Sequence, residues 1–267
     1  MSAAAAVELR DVGKEFAARE RRVIAVERID LAVGHNEFAA ILGPSGCGKS
    51  TILNMVAGFE APTRGQVLVD GEPVRAPGPR RGVVFQEAAL FPWYTVLENV
   101  TFGPKTRGVP AATYRPKVES LLDLVGLRGF EHHYPAELSG GMKQRVGLAR
   151  VLVMEPDVLL MDEPFGSLDA QTRSAMQELL LSVWERHQQT VLFVTHDIEE
   201  ALLLADSVLV MTARPGRIKT RIAVDLPRPH TLETTTSVRF NDLKRRLLGL
   251  VREESLANSG IPAGNDV

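Results

Sequence analysis

The chain has 267 residues, 45% of them hydrophobic and 24% charged, with a formal net charge of −2. That balance suits a globular protein with a sizeable core and gives no reason to expect nucleic acid as a partner. A single cysteine excludes an intrachain disulfide framework and fits a reducing cytosol, and no apolar run reaches the ~18 residues that span a bilayer.

The N-terminal "MSAAAAVELRD" has no basic stretch ahead of its alanines, so no secretory signal is expected and a soluble cytoplasmic protein is. "VELRDVGKEF" and "RRVIAVERIDLAV" alternate as strands do and predict an antiparallel sheet joined by a charged turn. Short apolar runs follow: "FAAIL" (38–42), "GVVF" (82–85), "VLLMD" (158–162), "VLFVT" (191–195) and "SVLVMT" (207–212). Helical patterns separate several of them, which predicts a mostly parallel sheet covered on both faces. The helix after "GKST" is expected to end at Gly58. Residues 87–157 read as a helical insertion, with "AATYRPKVESLLDLVGL" its clearest stretch. Met176, Leu179, Leu180, Val183 and Trp184 form one helical stripe, read as core. Residues 225–237 look linker-like. An amphipathic helix then carries Phe240, Leu243, Leu247, Leu248 and Val251, and the tail "SLANSGIPAGNDV" (255–267) is expected to be disordered.

Three stretches carry chemistry. "GPSGCGKST" (43–51) lies between a strand and a helix and has the phosphate-loop pattern. Gly43, Gly46 and Gly48 let backbone N–H groups curl round phosphates; Lys49 supplies a point charge and Ser50 a hydroxyl for Mg²⁺. "VLLMDEP" ends an apolar strand in Asp162, suited to the metal, and Glu163, suited to polarising a water. Gln86 and His196 also follow apolar strands. Ligands of open α/β sheets bind at strand carboxyl ends, so Lys49, Gln86, Asp162 and His196 are expected round one nucleotide. "LSGGMKQR" (138–145) is a second anion-site pattern, a serine and two glycines opening a helix.

In this order, phosphate loop, Gln86, "LSGGMKQR", "VLLMDEP", "SLD" and His196 resemble the ATP-binding subunit of an ABC transporter, over residues 7–225. The resemblance implies an α/β fold: a P-loop ABC ATPase core with an N-terminal antiparallel β subdomain and a helical insertion. It divides the chain into a tail (1–6), the ATPase domain (7–225) and a linker, helix and flexible tail (226–267). It implies an Mg²⁺-dependent ATPase, with Gly43, Pro44, Ser45, Gly46, Cys47, Gly48, Lys49, Ser50 and Thr51 round the ATP phosphates. Phe16 would stack on adenine. Ser50, Gln86 and Asp162 would hold the metal, and Glu163, His196, Lys49 and Gln86 would serve catalysis.

In the family two cassettes face head to tail. Ser139, Gly140 and Gly141 would then touch the partner's ATP, Asp169 would lie at the dimer contact, and ATP would close the pair. Further implied partners are integral membrane permease subunits and, indirectly, a substrate-binding protein outside the membrane; nucleic acid is not one. The chain would sit peripherally on the cytoplasmic membrane face. "GPRRGVVFQEAALFPW" and "TARPGRI…DLPRP" resemble the nitrate, sulfonate and taurine importer subgroup, with a pyrimidine-type vitamin precursor as the alternative cargo. Family members acting on DNA or ribosomes carry long coiled coils, zinc cysteines or fused cassettes, and this sequence has none of these.

Overall fold

The computed structural model describes residues 5–18 and 21–259. Of the tail expected over residues 1–6, residues 1–4 lie outside the described residues, and the Ala6 N–H donates to the Val33 carbonyl. Of residues 255–267, expected to be disordered, 255–259 are helical instead, because the helix that begins at Val238 continues through them, and 260–267 lie outside the described residues. In chain order the elements are β1 (Val7–Ala18), β2 (Arg21–Val33), β3 (Phe38–Leu42), α1 (Lys49–Ala57), β4 (Arg64–Val69), β5 (Glu72–Pro73), β6 (Arg81–Val84), α2 (Val96–Thr106), α3 (Ala111–Leu124) and α4 (Gly140–Leu152). There follow β7 (Val158–Asp162), α5 (Ala170–His187), β8 (Thr190–Thr195), α6 (Ile198–Leu204), β9 (Ser207–Met211), β10 (Ile218–Ala223) and α7 (Val238–Ser259). They form two compact units, one from the chain up to Gly78 and from Gln188 onward, the other from Pro79 to His187.

In the first unit the expected antiparallel sheet runs β2-β1-β4-β5. Leu9 and Val12 are three apart, so a regular strand would turn Val12 to the opposite face. A register shift lies between them and Asp11 takes φ 51°, which returns Val12 to the core beside Leu9. The second sheet of this unit orders its strands β10-β9-β3-β8. β3 is parallel to both β8 and β9, and every residue of the three is buried, as the uninterrupted apolar runs require. α1 stops at Gly58, as expected: its φ is 86°, and a Cβ there would lie 2.4 Å from the Ala76 carbonyl oxygen.

β10 was not among the expected strands. Its polar residues mask an edge strand antiparallel to β9, of which only Ile222 is buried. The linker-like segment is tied to the core by polar groups. Arg228 donates to Asp206 and to the Leu204 carbonyl, and the buried His230 ring lies 2.8 Å from the Leu203 oxygen. Phe240, Leu243 and Leu247 of α7 are buried, but Leu248 is 48% exposed. One residue is ~100° of helix rotation, which carries Leu248 off the stripe centred on Leu247. Leu247→Ala is expected to cost about 2–5 kcal/mol, read as a lower urea midpoint at unchanged slope.

In the second unit β6 and β7 pair in parallel, with Val84 opposite Met161. The expected strand 82–85 ends at Val84, leaving Phe85 40% exposed. α2, α3 and α4 occupy the stretch read as helical. Thr95 and Glu98 form a reciprocal cap on α2, and the buried Asn99 side chain bonds Phe91, Tyr94 and Thr95. The stripe on α5 is core at Met176, Leu180, Val183 and Trp184, while Leu179 is half-buried.

Candidate functional site

Two groups of residues stand at strand carboxyl ends, one in each unit. In the first, β3 and β8 are in register with Leu42 opposite Thr195, so the phosphate loop and His196 leave adjacent strands at the same end. Gly46 and Gly48 take φ 76° and 102°, conformations an L side chain rarely adopts. At Gly48 there is also no room, because a Cβ would sit 2.8 Å from the Ala25 oxygen. Gly48 precedes α1 with no side chain capping the helix, which leaves the first-turn N–H groups for an anion. Lys49 is buried, and its ammonium donates to the carbonyls of Gly43 (2.9 Å) and Pro44 (3.1 Å). A buried cation held by carbonyl groups of its own loop is already aimed into that loop. Ser50 and Thr51 follow on the first turn of α1.

Cys47 points inward, 1% exposed, its sulfur 4.0 Å from that of Met211. Only its backbone is therefore available to a ligand. Burial pushes its thiol above the usual range, with the Lys49 charge opposing. Cys47 is expected to react with a thiol reagent far more slowly in the native protein than in urea, as followed by chromophore release at pH 8.

His196 is exposed between two fixed residues. Thr195 donates to buried Glu200 at 2.7 Å, and Asp197 caps α6 by accepting from the N–H groups of Glu199 and Glu200. Sequence reasoning passed over both, although an Asp before "IEEALL" is a helix-start signal. Phe16 is an exposed ring on β1, with the Lys14 ammonium 4.9 Å from its centroid.

In the second unit, Asp162 ends β7 and Glu163 follows with φ 44°. Left-handed backbone is uncommon for a glutamate and is held by the turn, in which the Gly166 N–H donates to the Glu163 carbonyl at 3.0 Å. Gln86 follows the neighbouring strand, its backbone oxygen accepting from the Gln144 side chain at 2.5 Å. Its own side-chain nitrogen lies 3.1 Å from where a Cβ on Gly166 would be. Gln86 therefore reaches the turn that carries Glu163.

Ser139 caps α4, its hydroxyl accepting from the Met142 N–H at 3.3 Å. The two glycines after it differ. A Cβ on Gly141 would stand 2.4 Å from Thr172 Cγ2, whereas one on Gly140 would meet nothing within 4 Å. Packing explains the bareness of Gly141 and not that of Gly140. Asp169 is exposed and accepts from the Thr172 N–H and hydroxyl, which hold its carboxyl below the usual range.

A protein-family profile described as ABC transporter matches residues 26–166. An uncharacterized ABC transporter ATP-binding protein of Methanocaldococcus jannaschii is 47% identical over 250 residues, 94% of this chain and 92% of that protein. The taurine import ATP-binding protein TauB of Burkholderia thailandensis is 46% identical over 245 residues, 90% and 94% of the two chains. The aliphatic sulfonates import ATP-binding protein SsuB of Bacillus cereus is 41% identical over 255 residues, 96% and 99%.

Among solved structures, a dimeric post-hydrolysis ATP-binding cassette bound to ADP and Pi has a TM-score of 0.72 at 32% identity, covering 82% of this chain and 98% of that one. The cbiO1 protein of Clostridium perfringens, part of the ABC transporter complex cbiONQ, has a TM-score of 0.75 at 28% identity, covering 95% and 99%. The chain belongs to the ABC transporter family, as the ATP-binding and ATP-hydrolysing subunit of an importer.

Proposed function

We propose that this chain energises the import of taurine or another alkanesulfonate, working from the cytoplasmic face of a membrane against permease subunits. The observation that carries the cargo is identity of 46% with a taurine import subunit and 41% with an aliphatic sulfonate one, each over nearly the full length of both chains. An extracytoplasmic binding protein would deliver the anion. Among the described residues no helix is long and apolar enough to cross a membrane. The permease subunits would hold the chain through a docking contact. Trp93, 66% exposed in the "FPWY" turn, suits that contact, because large aromatics anchor interfaces.

The loop amides of residues 43–51 and the Lys49 ammonium bind the ATP phosphates, and Phe16 stacks on adenine. Ser50, Asp162 and Gln86 offer hard oxygen donors of the kind Mg²⁺ takes. Bound there, Mg²⁺ would neutralise phosphate charge. Glu163 orients a water and accepts its proton as the water oxygen bonds to the γ-phosphorus and the bond to ADP breaks. His196 and Gln86 contact the γ-phosphate side of the reaction.

Ser139 and Gly140 of a second copy bind that same γ-phosphate, with Gly141 behind them and Asp169 beside the contact. ATP therefore favours the closed pair and its hydrolysis releases it. The test is growth of a strain lacking the gene on taurine as sole sulfur source, with sulfate and nitrate controls. Loss on taurine alone, restored by the wild type and not by Lys49→Ala, supports the proposal. Growth retained on taurine and lost on nitrate moves the cargo to nitrate.

A further inference from the structure

The "TARPGR" turn, residues 212–217, carries none of the site residues named so far, yet the fold lays it against the phosphate loop. β9 is parallel to β3 with Val210 opposite Leu42, so this turn and the phosphate loop leave the sheet at the same end. Gly216 is pressed onto the loop backbone: a Cβ there would lie 2.0 Å from the Cys47 oxygen. Its N–H donates to Ala25 and its carbonyl accepts from Glu27, which fixes the turn to β2. The turn is closed internally by Thr212, whose N–H donates to the Arg217 carbonyl at 2.9 Å and whose hydroxyl donates to the Pro215 carbonyl at 3.2 Å. From this base the exposed Arg214 extends its guanidinium to the Gly46 carbonyl, with Nε donating at 3.2 Å.

Gly46 is a loop residue whose peptide needs holding. At φ 76° and without a side chain it has little steric preference. A phosphate loop works only if its carbonyls stay turned away while its N–H groups face the anion. A cationic donor on the Gly46 oxygen enforces that orientation. The turn is anchored in its own right from α7. Glu254 accepts from the Ala213 N–H at 3.0 Å with one oxygen and from the Lys219 ammonium at 2.7 Å with the other. Its carboxyl is thus fixed one residue before Arg214.

We infer that Arg214 is a positioning residue for the nucleotide phosphates, acting through the Gly46 carbonyl, and that Glu254 of the C-terminal helix sets its place. This rests on the reading of residues 43–51 as the ATP site. A helix about 40 residues beyond the last family motif thereby sets how well the phosphate loop is formed.

The experiment measures ATP affinity and steady-state ATPase parameters on the full chain. Arg214→Ala is expected to weaken ATP binding and raise KM by ~3–10-fold, the scale of one charge-assisted hydrogen bond at an exposed site, with kcat within about twofold. Arg214→Lys keeps a donor and restores KM to within about twofold of wild type. Arg214→Gln, a neutral donor, is measured alongside in case alanine loosens the turn, and it falls between the two. Glu254→Ala raises KM by a few fold and adds nothing on top of Arg214→Ala, because both act on one contact. An unchanged KM in Arg214→Ala and Arg214→Gln overturns the inference, as does a fall in kcat alone, and strict additivity with Glu254→Ala removes the role of α7. If Lys49→Ala binds ATP like wild type, it is the reading of the loop that fails.

Discussion

Glu163→Gln lowers ATP turnover by about 10²–10⁴-fold while ATP affinity stays near that of wild type. The amide is isosteric with the carboxylate, so the turn after β7 is kept, including the bond from the Gly166 N–H to the residue 163 carbonyl. What is lost is the negative oxygen that accepts the proton from water. The backbone at residue 163 has φ 44° with glutamate and is equally open to glutamine, so stability should not change. Turnover blocked with binding intact would also leave the ATP-bound pair unable to reopen, and size-exclusion chromatography with ATP should then reveal a nucleotide-dependent dimer. Wild-type turnover in this variant would remove Glu163 from its role.

The two signature glycines should separate fold from function. Gly141→Ala drives a methyl to 2.4 Å from Thr172 Cγ2 and is expected to cost about 1–3 kcal/mol in urea unfolding. Gly140→Ala adds its methyl in open space at the start of α4, where alanine is a better helix former than glycine, so stability should hold or rise slightly. Its turnover should nevertheless fall by ~10-fold or more, because a Cβ there crowds a phosphate approaching the helix N-terminus. Ser139→Arg should abolish turnover and leave the ATP affinity of the isolated chain nearly intact, since the loop serves another copy's nucleotide. Normal turnover in Gly140→Ala, or a large affinity loss in monomeric Ser139→Arg, would contradict that assignment.

That the phosphate loop, "VLLMDEP", Gln86 and His196 stand at strand ends was legible because each follows a short apolar run. β10 was not, because an edge strand with one buried residue has no apolar alternation to read. Leu248 was placed on the buried stripe because apolar spacing does not say how wide a face the neighbouring helix covers. The ties of residues 225–237 were invisible for another reason: Arg228 and His230 bond carbonyls and carboxylates more than 20 residues away in sequence.

The sequence by itself determined the family and the strand-to-motif order, since those depend on local residue types at short spacings. Tertiary structure decided which of two adjacent glycines is bare for packing, that Cys47 faces the core, and that "TARPGR" grips Gly46. The first is a contact between α4 and α5, and the other two bring the phosphate loop against the end of β9, an approach set by the parallel register of β3 and β9 rather than by any local pattern.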